Sequence, residues 1–265
     1  MKGTILKMRG LIKRSKVLYS IPIGGLEIEL NPLLGKEIKL EHSGNIYCIA
    51  TGKSITKSYN GGYSYEAFIS KAACDTCIVQ PEKCHYHLGT CREPKWGENH
   101  CMRPHIVYLS LTSGIKVGIT RKTQVPTRWI DQGAIIARSI YEVPNRLAAG
   151  LVESELKAEF EDKTNWRKML GSQPEKQDLD LVAQEIHRKY GESFSQFQAL
   201  YLEEPVCEIN FPVNTYPEKV KSINLDKQPC IEGILHGIKG QYLYVGEYVF
   251  NVRRHQGYEI TLSHS

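Results

Sequence analysis

The sequence predicts an α+β protein in which β-rich N- and C-terminal parts flank a cysteine-rich module and a small α/β core. Short apolar runs, separated by Gly, Asn and Pro, fill both ends of the chain and are typical of strands. Between them, a cysteine-rich stretch of little periodicity is followed by alternating strand and helix patterns. We therefore expect five segments, at residues 1–70, 71–105, 106–170, 171–205 and 206–265.

The β-rich parts are predicted from alternation and turn residues. Residues 26–30 read Leu-Glu-Ile-Glu-Leu, which is the period-two pattern of a half-buried strand. Near the C-terminus, apolar runs at 240–245 and 248–252 predict two further strands. We expect the N- and C-terminal β segments to pack together. Basic residues at 253–255 beside these aromatic strands are an additional candidate for contact with nucleic acid.

The core and the segment after it combine strands with helices. Leu179, Val182, Ile186 and Tyr190 recur at spacings of three or four, which predicts an amphipathic helix over residues 174–192. In the core we expect a strand at 106–111, a turn at 112–114, a strand at 115–120, a short helix at 126–132, a strand at 134–142 and a helix from Pro144 to about Asp162.

Composition sets limits on the function. The 265 residues carry a net charge of +5, with a pI near 8.6, and this mildly basic balance permits nucleic-acid binding without requiring it. The N-terminus has no apolar signal region, and no apolar run approaches the roughly 18–20 residues that span a bilayer. We therefore expect a cytoplasmic protein with reduced thiols and no membrane partner.

Clustered cysteines predict a metal site in the second segment. Five of the eight cysteines fall within residues 74–101, and the first two form a Cys-x-x-Cys pair that suits one half of a zinc site. A structural zinc ion would supply folding energy to a stretch that cannot build its own core. The alternative is a group of buried thiols or a redox pair. The candidate ligands are Cys74, Cys77, Cys84, Cys91 and Cys101, with His85, His87, His100 and His105 in reserve, in one site or two.

A second, quieter pattern surrounds Cys48. The pair Cys48 and Thr51, followed by Ser64 and Ala67, has the spacing of two zinc-ribbon knuckles. Only Cys48 is a possible ligand, so such a ribbon would have lost its metal and would be held by packing. An ordinary hairpin with a buried cysteine is the alternative.

The core carries a set of spaced motifs. Residues 107–109 read Val-Tyr-Leu and residues 114–120 read Gly-Ile-Lys-Val-Gly-Ile-Thr, while Arg128 follows Gly118 by ten positions and Glu153 lies in the predicted helix. Residues 105–170 thereby resemble the GIY-YIG nuclease superfamily. In that superfamily, two short strands carry the namesake motifs, a following helix carries an arginine, and a later helix carries a glutamate that binds a divalent metal.

The whole chain is also similar to an uncharacterised bacterial family that has this cysteine cluster. The similarity covers nearly the entire sequence. It is carried by residues 116–121 (Lys-Val-Gly-Ile-Thr-Arg), 128–134 (Arg-Trp-Ile-Asp-Gln-Gly-Ala), 162–166 (Asp-Lys-Thr-Asn-Trp) and 237–243 (Gly-Ile-Lys-Gly-Gln-Tyr-Leu).

The GIY-YIG resemblance implies a role for each motif residue. Tyr108 would act near the attacking water, Arg128 would clamp a phosphate oxygen, and Glu153 would hold Mg²⁺ or Mn²⁺. The second motif lacks its tyrosine, and Lys116 or Ile115 occupies that region; Lys116 would contact phosphate in its place or would be solvated. Glu153 precedes a leucine by three positions, as the family's glutamate does, and Glu155 is the reserve.

Three functions follow as expectations. The first is metal-dependent hydrolysis of phosphodiester bonds in DNA or RNA. The second is non-catalytic nucleic-acid binding by a zinc-containing protein. The third is binding of a small phosphate-bearing ligand.

Overall fold

The computed structural model describes residues 1–160 and 164–265 and has the α+β architecture that the sequence predicts. The strands are β1 (Lys2–Thr4), β2 (Arg9–Lys13), β3 (Lys16–Ile23), β4 (Leu26–Glu29), β5 (Glu37–Tyr47), β6 (Ser54–Ile55), β7 (His105–Leu111), β8 (Ile115–Arg121), β9 (Ile136–Val143), β10 (Leu200–Tyr201), β11 (Cys207–Glu208), β12 (Lys221–Ile223), β13 (Cys230–Lys239), β14 (Tyr242–Val245), β15 (Tyr248–Asn251) and β16 (Tyr258–His264). The helices are α1 (Tyr65–Ser70), α2 (Pro94–His100), α3 (Thr127–Asp131), α4 (Arg146–Leu156), α5 (Trp166–Gly171) and α6 (Leu179–Phe194).

The largest sheet combines both ends of the chain. Its strand order is β1-β16-β5-β13-β14-β15-β12, and β6 pairs with β5. Strand β5 is antiparallel both to β16 and to β13, so the N- and C-terminal parts pack together as expected. The five predicted segment boundaries remain predictions, but the first and last segments share one sheet and one apolar core.

A separate small sheet consists of β2, β3 and β4. Of the three apolar side chains that the alternation at residues 26–30 predicts to be buried, only two are. Ile28 and Leu30 are buried, whereas Leu26 is 62% exposed at the turn that joins β3 to β4.

The core sheet has β7 at its centre. Strand β7 is antiparallel to β8 on one side and to β9 on the other, and short strands β10 and β11 pair with β9. Val107 and Leu109 face the apolar cluster that contains residues of α4 and α6. Ile106 and Tyr108 face the opposite way, toward residues of α3 and the large β-rich core. Strand β7 is thus buried on both faces.

Local hydrogen bonds decide where the helices begin. Asn145 Oδ1 accepts from the Ala148 backbone N at 2.9 Å, so α4 starts after Pro144 rather than with it. Asp178 caps α6 in the same way, which moves its start from the predicted residue 174 to Leu179. Helix α4 ends at Leu156, before the predicted end near Asp162, which itself lies outside the described residues.

The cysteine-rich stretch consists mainly of 3-10 turns, at Ala72–Cys74, Thr76–Ile78, Pro81–Lys83 and Tyr86–Leu88. It also contains α2, which the weak periodicity did not predict. Over the part of the chain that the structure describes, every helix is too short or too polar to cross a bilayer.

The first prediction concerns Gly118, which is paired with Tyr108 across β7 and β8. A Cβ at position 118 would lie 2.6 Å from Tyr108 Oη and 2.7 Å from Cζ, and the fully buried ring has little room to move. We expect Gly118→Ala to lower the free energy of unfolding by about 1–3 kcal/mol in urea denaturation. Gly114→Ala is the matched control because no atom lies within 4 Å of its Cβ position. Equal effects of the two substitutions would contradict the prediction.

Candidate functional site

Two motif residues of the core, Arg128 and Glu153, both interact with the third, Tyr108, although the three come from different elements. Tyr108 lies on β7, Arg128 on α3 and Glu153 on α4. The pKa of Tyr108 is raised, mainly by burial; the charge and hydrogen bonding of Arg128 oppose the shift, and the charge of Glu153 adds to it. The guanidinium and the carboxylate therefore lie near the same phenol.

Tyr108 is held rigidly. Its hydroxyl donates to Gln132 Oε1 at 2.7 Å, and its ring packs edge-on against Trp129 at a centroid distance of 6.0 Å. The side chain has no exposed surface. This differs from the expectation of a tyrosine beside the attacking water, because α3 covers this face of the central strand.

Two arginines outside the predicted set lie near Arg128. The pKa values of Arg146 and Arg253 are both lowered, first by burial and then by the charge of Arg128. As whole residues, Arg253 is exposed and Arg128 and Arg146 are partly exposed, so the burial that lowers the pKa of Arg253 applies to its guanidinium and not to the entire side chain. We call Tyr108, Arg128, Glu153 and Arg253 the Arg128 site. The basic run at 253–255 signalled Arg253 in the sequence, whereas no motif signalled Arg146.

Two predicted site residues, Glu153 and Lys116, have little exposed side-chain surface. Glu153 forms an ion pair with Lys157 at 3.6 Å, and its side chain is 12% exposed. Lys116 is on the same face of the sheet as Gly118 but is only 4% exposed. Little of Lys116 is therefore available to a ligand.

Most of the clustered cysteines line one cavity. It is bordered by Asp75 and His85 and by four thiols, those of Cys77, Cys84, Cys91 and Cys101. We call this the cysteine cavity. The pKa of Cys77 is raised to about 11, first by burial and then by the charges of Asp75, Cys84 and Cys101. A cation in the cavity would oppose this shift, because it would stabilise the thiolate forms of these cysteines.

One subset of these donors meets the geometry of a metal site. Among the described residues, Asp75, Cys77 and His85 have ligand atoms within 4.8 Å of one another. Asp75 Oδ2 also forms an ion pair with Arg92 Nε at 2.8 Å, and His85 Nδ1 lies 2.7 Å from Thr90 Oγ1. The cavity is thus a candidate metal centre whose border residues are already held in place by hydrogen bonds.

Cys74 lies elsewhere. Its thiol accepts a hydrogen bond from Asn60 Nδ2 at 3.4 Å, and it does not line the cysteine cavity. The Cys74 and Cys48 charges both contribute to the raised pKa of Tyr63, after burial. The structure therefore divides the Cys-x-x-Cys pair, because Cys74 contacts Asn60 and acts on Tyr63, whereas Cys77 lines the cavity.

Around Cys48 the structure has one turn of the kind found in a zinc ribbon but no second one at Ser64 and Ala67. The turn after β5 places Cys48 so that its thiol accepts from the Ser64 backbone N at 3.3 Å. Burial would raise the pKa of Cys48, but hydrogen bonds from Thr51, Ser64 and Ala50 lower it to about 7. Ser64 caps α1 instead of forming a second knuckle, because its hydroxyl accepts from the Ala67 backbone N at 3.1 Å.

The reserve histidines other than His85 do not line the cavity. His100 stacks on Trp96 with ring centroids 4.1 Å apart. His105 Nδ1 lies 2.7 Å from the Arg103 carbonyl oxygen, and burial lowers the pKa of His105 to about 4. His87 is exposed on a 3-10 turn.

These observations define an α+β protein in which a candidate metal centre rich in cysteine adjoins a group of arginines. A protein-family model described as "Protein of unknown function (DUF2797)" matches residues 35–260, and the chain therefore belongs to this family. No curated protein and no solved structure matches the chain.

The second prediction separates the two cysteines of the Cys-x-x-Cys pair. We expect Cys77→Ser to weaken binding of a transition metal by roughly tenfold or more, because it removes a thiol from the cavity. Cys74→Ser, the matched control, is expected to retain the metal. Elemental analysis of protein purified without chelators measures both. Loss of metal in Cys74→Ser alone would contradict the placement of these residues.

Proposed function

We propose that this protein hydrolyses phosphodiester bonds of DNA or RNA in a metal-dependent reaction, at a core similar to that of GIY-YIG nucleases. The observation that carries the proposal is that Arg128 and Glu153 both interact with Tyr108. Their order on two paired strands, a following helix and a later helix is the order that the resemblance implies.

Arginines would bind the scissile phosphate. Arg128 is partly exposed and Arg253 is exposed, and their charges repel each other. A phosphate between them would relieve that repulsion, and the planar guanidinium suits bidentate contact with its oxygens. The pair would also stabilise negative charge that develops in the transition state.

The donors around Glu153 fit a hard divalent ion. Mg²⁺ keeps several waters and is commonly held by one or two carboxylates together with substrate phosphate, so the carboxylate of Glu153, which acts on the same phenol as Arg128, is a suitable anchor. Such an ion, Mg²⁺ or Mn²⁺, would polarise the phosphoryl group and activate a bound water.

Tyr108 is assigned a positioning role within this proposal. Its raised pKa and its burial make it a poor base at neutral pH. Its interaction with Arg128 would orient the Arg128 guanidinium. Buried Lys116 is assigned no contact with substrate.

A second candidate function is nucleic-acid binding without cleavage. It is favoured by the same burial of Tyr108, because phosphate recognition by Arg128 and Arg253 requires no tyrosine at the surface. Both candidates predict binding that weakens as salt concentration rises.

For the cysteine cavity we propose a structural zinc ion held by Cys77, Cys84, Cys91 and Cys101. Four thiolates form a closed tetrahedral site of the kind that zinc prefers. Asp75 is already engaged by Arg92, so we assign Asp75 and His85 to the surrounding hydrogen bonds and not to the metal.

The third prediction tests the hydrolase. Wild-type protein is expected to cut a mixed panel of DNA and RNA with Mg²⁺ or Mn²⁺. Arg128→Ala and Glu153→Gln are expected to lower the cleavage rate roughly 10²–10³-fold, because each removes transition-state stabilisation. Glu155→Gln and the exposed Arg103→Ala are matched controls that should leave the rate unchanged.

The outcomes separate the candidates. Salt-dependent binding without cutting under any divalent ion would favour the second function over the first. Neither binding nor cutting would exclude both. Equal loss in Glu155→Gln and Glu153→Gln would remove the specific assignment of Glu153.

The fourth prediction tests the zinc ligands. Cys101→Ser is expected to lose zinc, whereas Asp75→Asn is expected to retain most of it. X-ray absorption of the wild-type metal should show sulfur neighbours at about 2.3 Å and no shell at the shorter zinc–nitrogen or zinc–oxygen distance. Zinc loss in Asp75→Asn with retention in Cys101→Ser would instead select the Asp75, Cys77 and His85 set.

A further inference from the structure

We propose that Arg146 is a positioning residue that couples the metal-bound state of the cysteine cavity to the position of Glu153. The inference deepens the proposed function, since it concerns how the Arg128 site is assembled. Its evidence lies in the contacts of α4 with the cysteine-rich stretch.

Arg146 forms hydrogen bonds to backbone carbonyl groups of the first and the last cysteine that line the cavity, Cys77 and Cys101, and to that of Ile78. Its Nη2 donates to the Ile78 carbonyl oxygen at 2.5 Å, and its Nε lies 3.5 Å from the Cys77 carbonyl oxygen. Its backbone N donates to the Cys101 carbonyl oxygen at 2.9 Å. One residue at the start of α4 is therefore hydrogen-bonded beside two thiols that are distant in the sequence.

The charges reinforce these contacts. The charges of Cys77 and Cys101 act favourably on the Arg146 guanidinium, and so does that of Glu153. A divalent ion bound by four thiolates keeps a net negative charge. A partly exposed guanidinium next to that charge stabilises the metal-bound module.

One helical turn after Arg146, the same face of α4 packs against the cysteine-rich stretch. Gly150 follows Arg146 by four positions, and a Cβ there would lie 2.5 Å from the Glu82 backbone N and 2.7 Å from the Pro81 carbonyl carbon. The helix backbone is thus in direct contact with the turn that precedes Cys84. This close approach leaves no space in which α4 could slide relative to that turn.

Glu153 completes this face. Residues 146, 150 and 153 are spaced four and three apart, so they lie along one side of the helix. A displacement of the turns that carry Cys77 and Cys84 moves the acceptors of Arg146 and the surface under Gly150. Glu153 then moves relative to Arg128, which is on α3. Metal in the cavity prevents this displacement by cross-linking the turns.

The experiment compares Arg146→Met with Arg103→Met in the full chain. Methionine keeps an apolar stem but removes the hydrogen bonds and the charge. Arg103 is an exposed arginine, bonded to Asn99 at 3.4 Å, and serves as the control. Three quantities are measured: zinc content, hydrogen–deuterium exchange of peptides covering residues 146–156, and affinity for a fluorescein-labelled single-stranded oligonucleotide.

We expect Arg146→Met to exchange faster over residues 146–156 while peptides of β13 and β16 stay protected. Its oligonucleotide affinity should fall roughly tenfold, about 1.4 kcal/mol, because Glu153 and the Arg128 site would no longer be held in place. Chelation of wild-type zinc should reproduce both changes, and chelation of Arg146→Met should add little to them. Arg146→Lys, a milder variant, should lie between.

The coupling is overturned if Arg146→Met, Arg146→Lys and Arg103→Met show the same hydrogen–deuterium exchange over residues 146–156. The coupling would also be overturned if hydrogen–deuterium exchange in α4 were unchanged by removal of zinc. If wild-type protein does not bind the oligonucleotide, the proposed function fails, but the exchange measurement still decides the role of Arg146. Full affinity in a folded, zinc-loaded Arg146→Met would refute the effect on the Arg128 site.

Discussion

The contact between α4 and the cysteine-rich turn at Pro81–Lys83 joins the two regions on which the proposed chemistry depends. Gly150 permits the backbone approach, and Arg146 adds hydrogen bonds to the carbonyl groups of Cys77 and Ile78. This contact orders the cysteine-rich turns against α4, and the proposed metal would add to that order. Glu153 extends from the same helix, which is why we propose that the module affects the Arg128 site through α4.

The Arg128 site combines a rigid interior with a charged surface. Tyr108 is buried beneath α3 and bonded to Gln132, while Arg128 and Arg253 reach toward solvent. Like charges gather there at an electrostatic cost, which an anionic ligand would offset. We therefore propose that the arginines bind phosphate and that Tyr108 positions Arg128, while a role of Tyr108 near the attacking water stays a prediction of the resemblance.

Much of the local structure was predictable. The β7–β8 hairpin, α3 and β9 lie within a few residues of their expected bounds, because periodicity and turn residues are local signals. Helix starts differed where side-chain caps at Asn145 and Asp178 outweighed the proline and periodicity cues. Helix α2 was missed because its seven residues contain Gly, Pro and few apolar positions.

By itself, the sequence determined the α+β class, the cysteine-rich module and the spacing of Tyr108, Arg128 and Glu153, because composition, periodicity and motif spacing act over short distances along the chain. Only the tertiary structure decided that Cys74 turns away from the other four clustered cysteines, that Tyr108 is buried, and that Arg146 and Arg253 approach Arg128. Those outcomes depend on contacts between distant segments, and the packing of α4 and of the C-terminal strands fixes them.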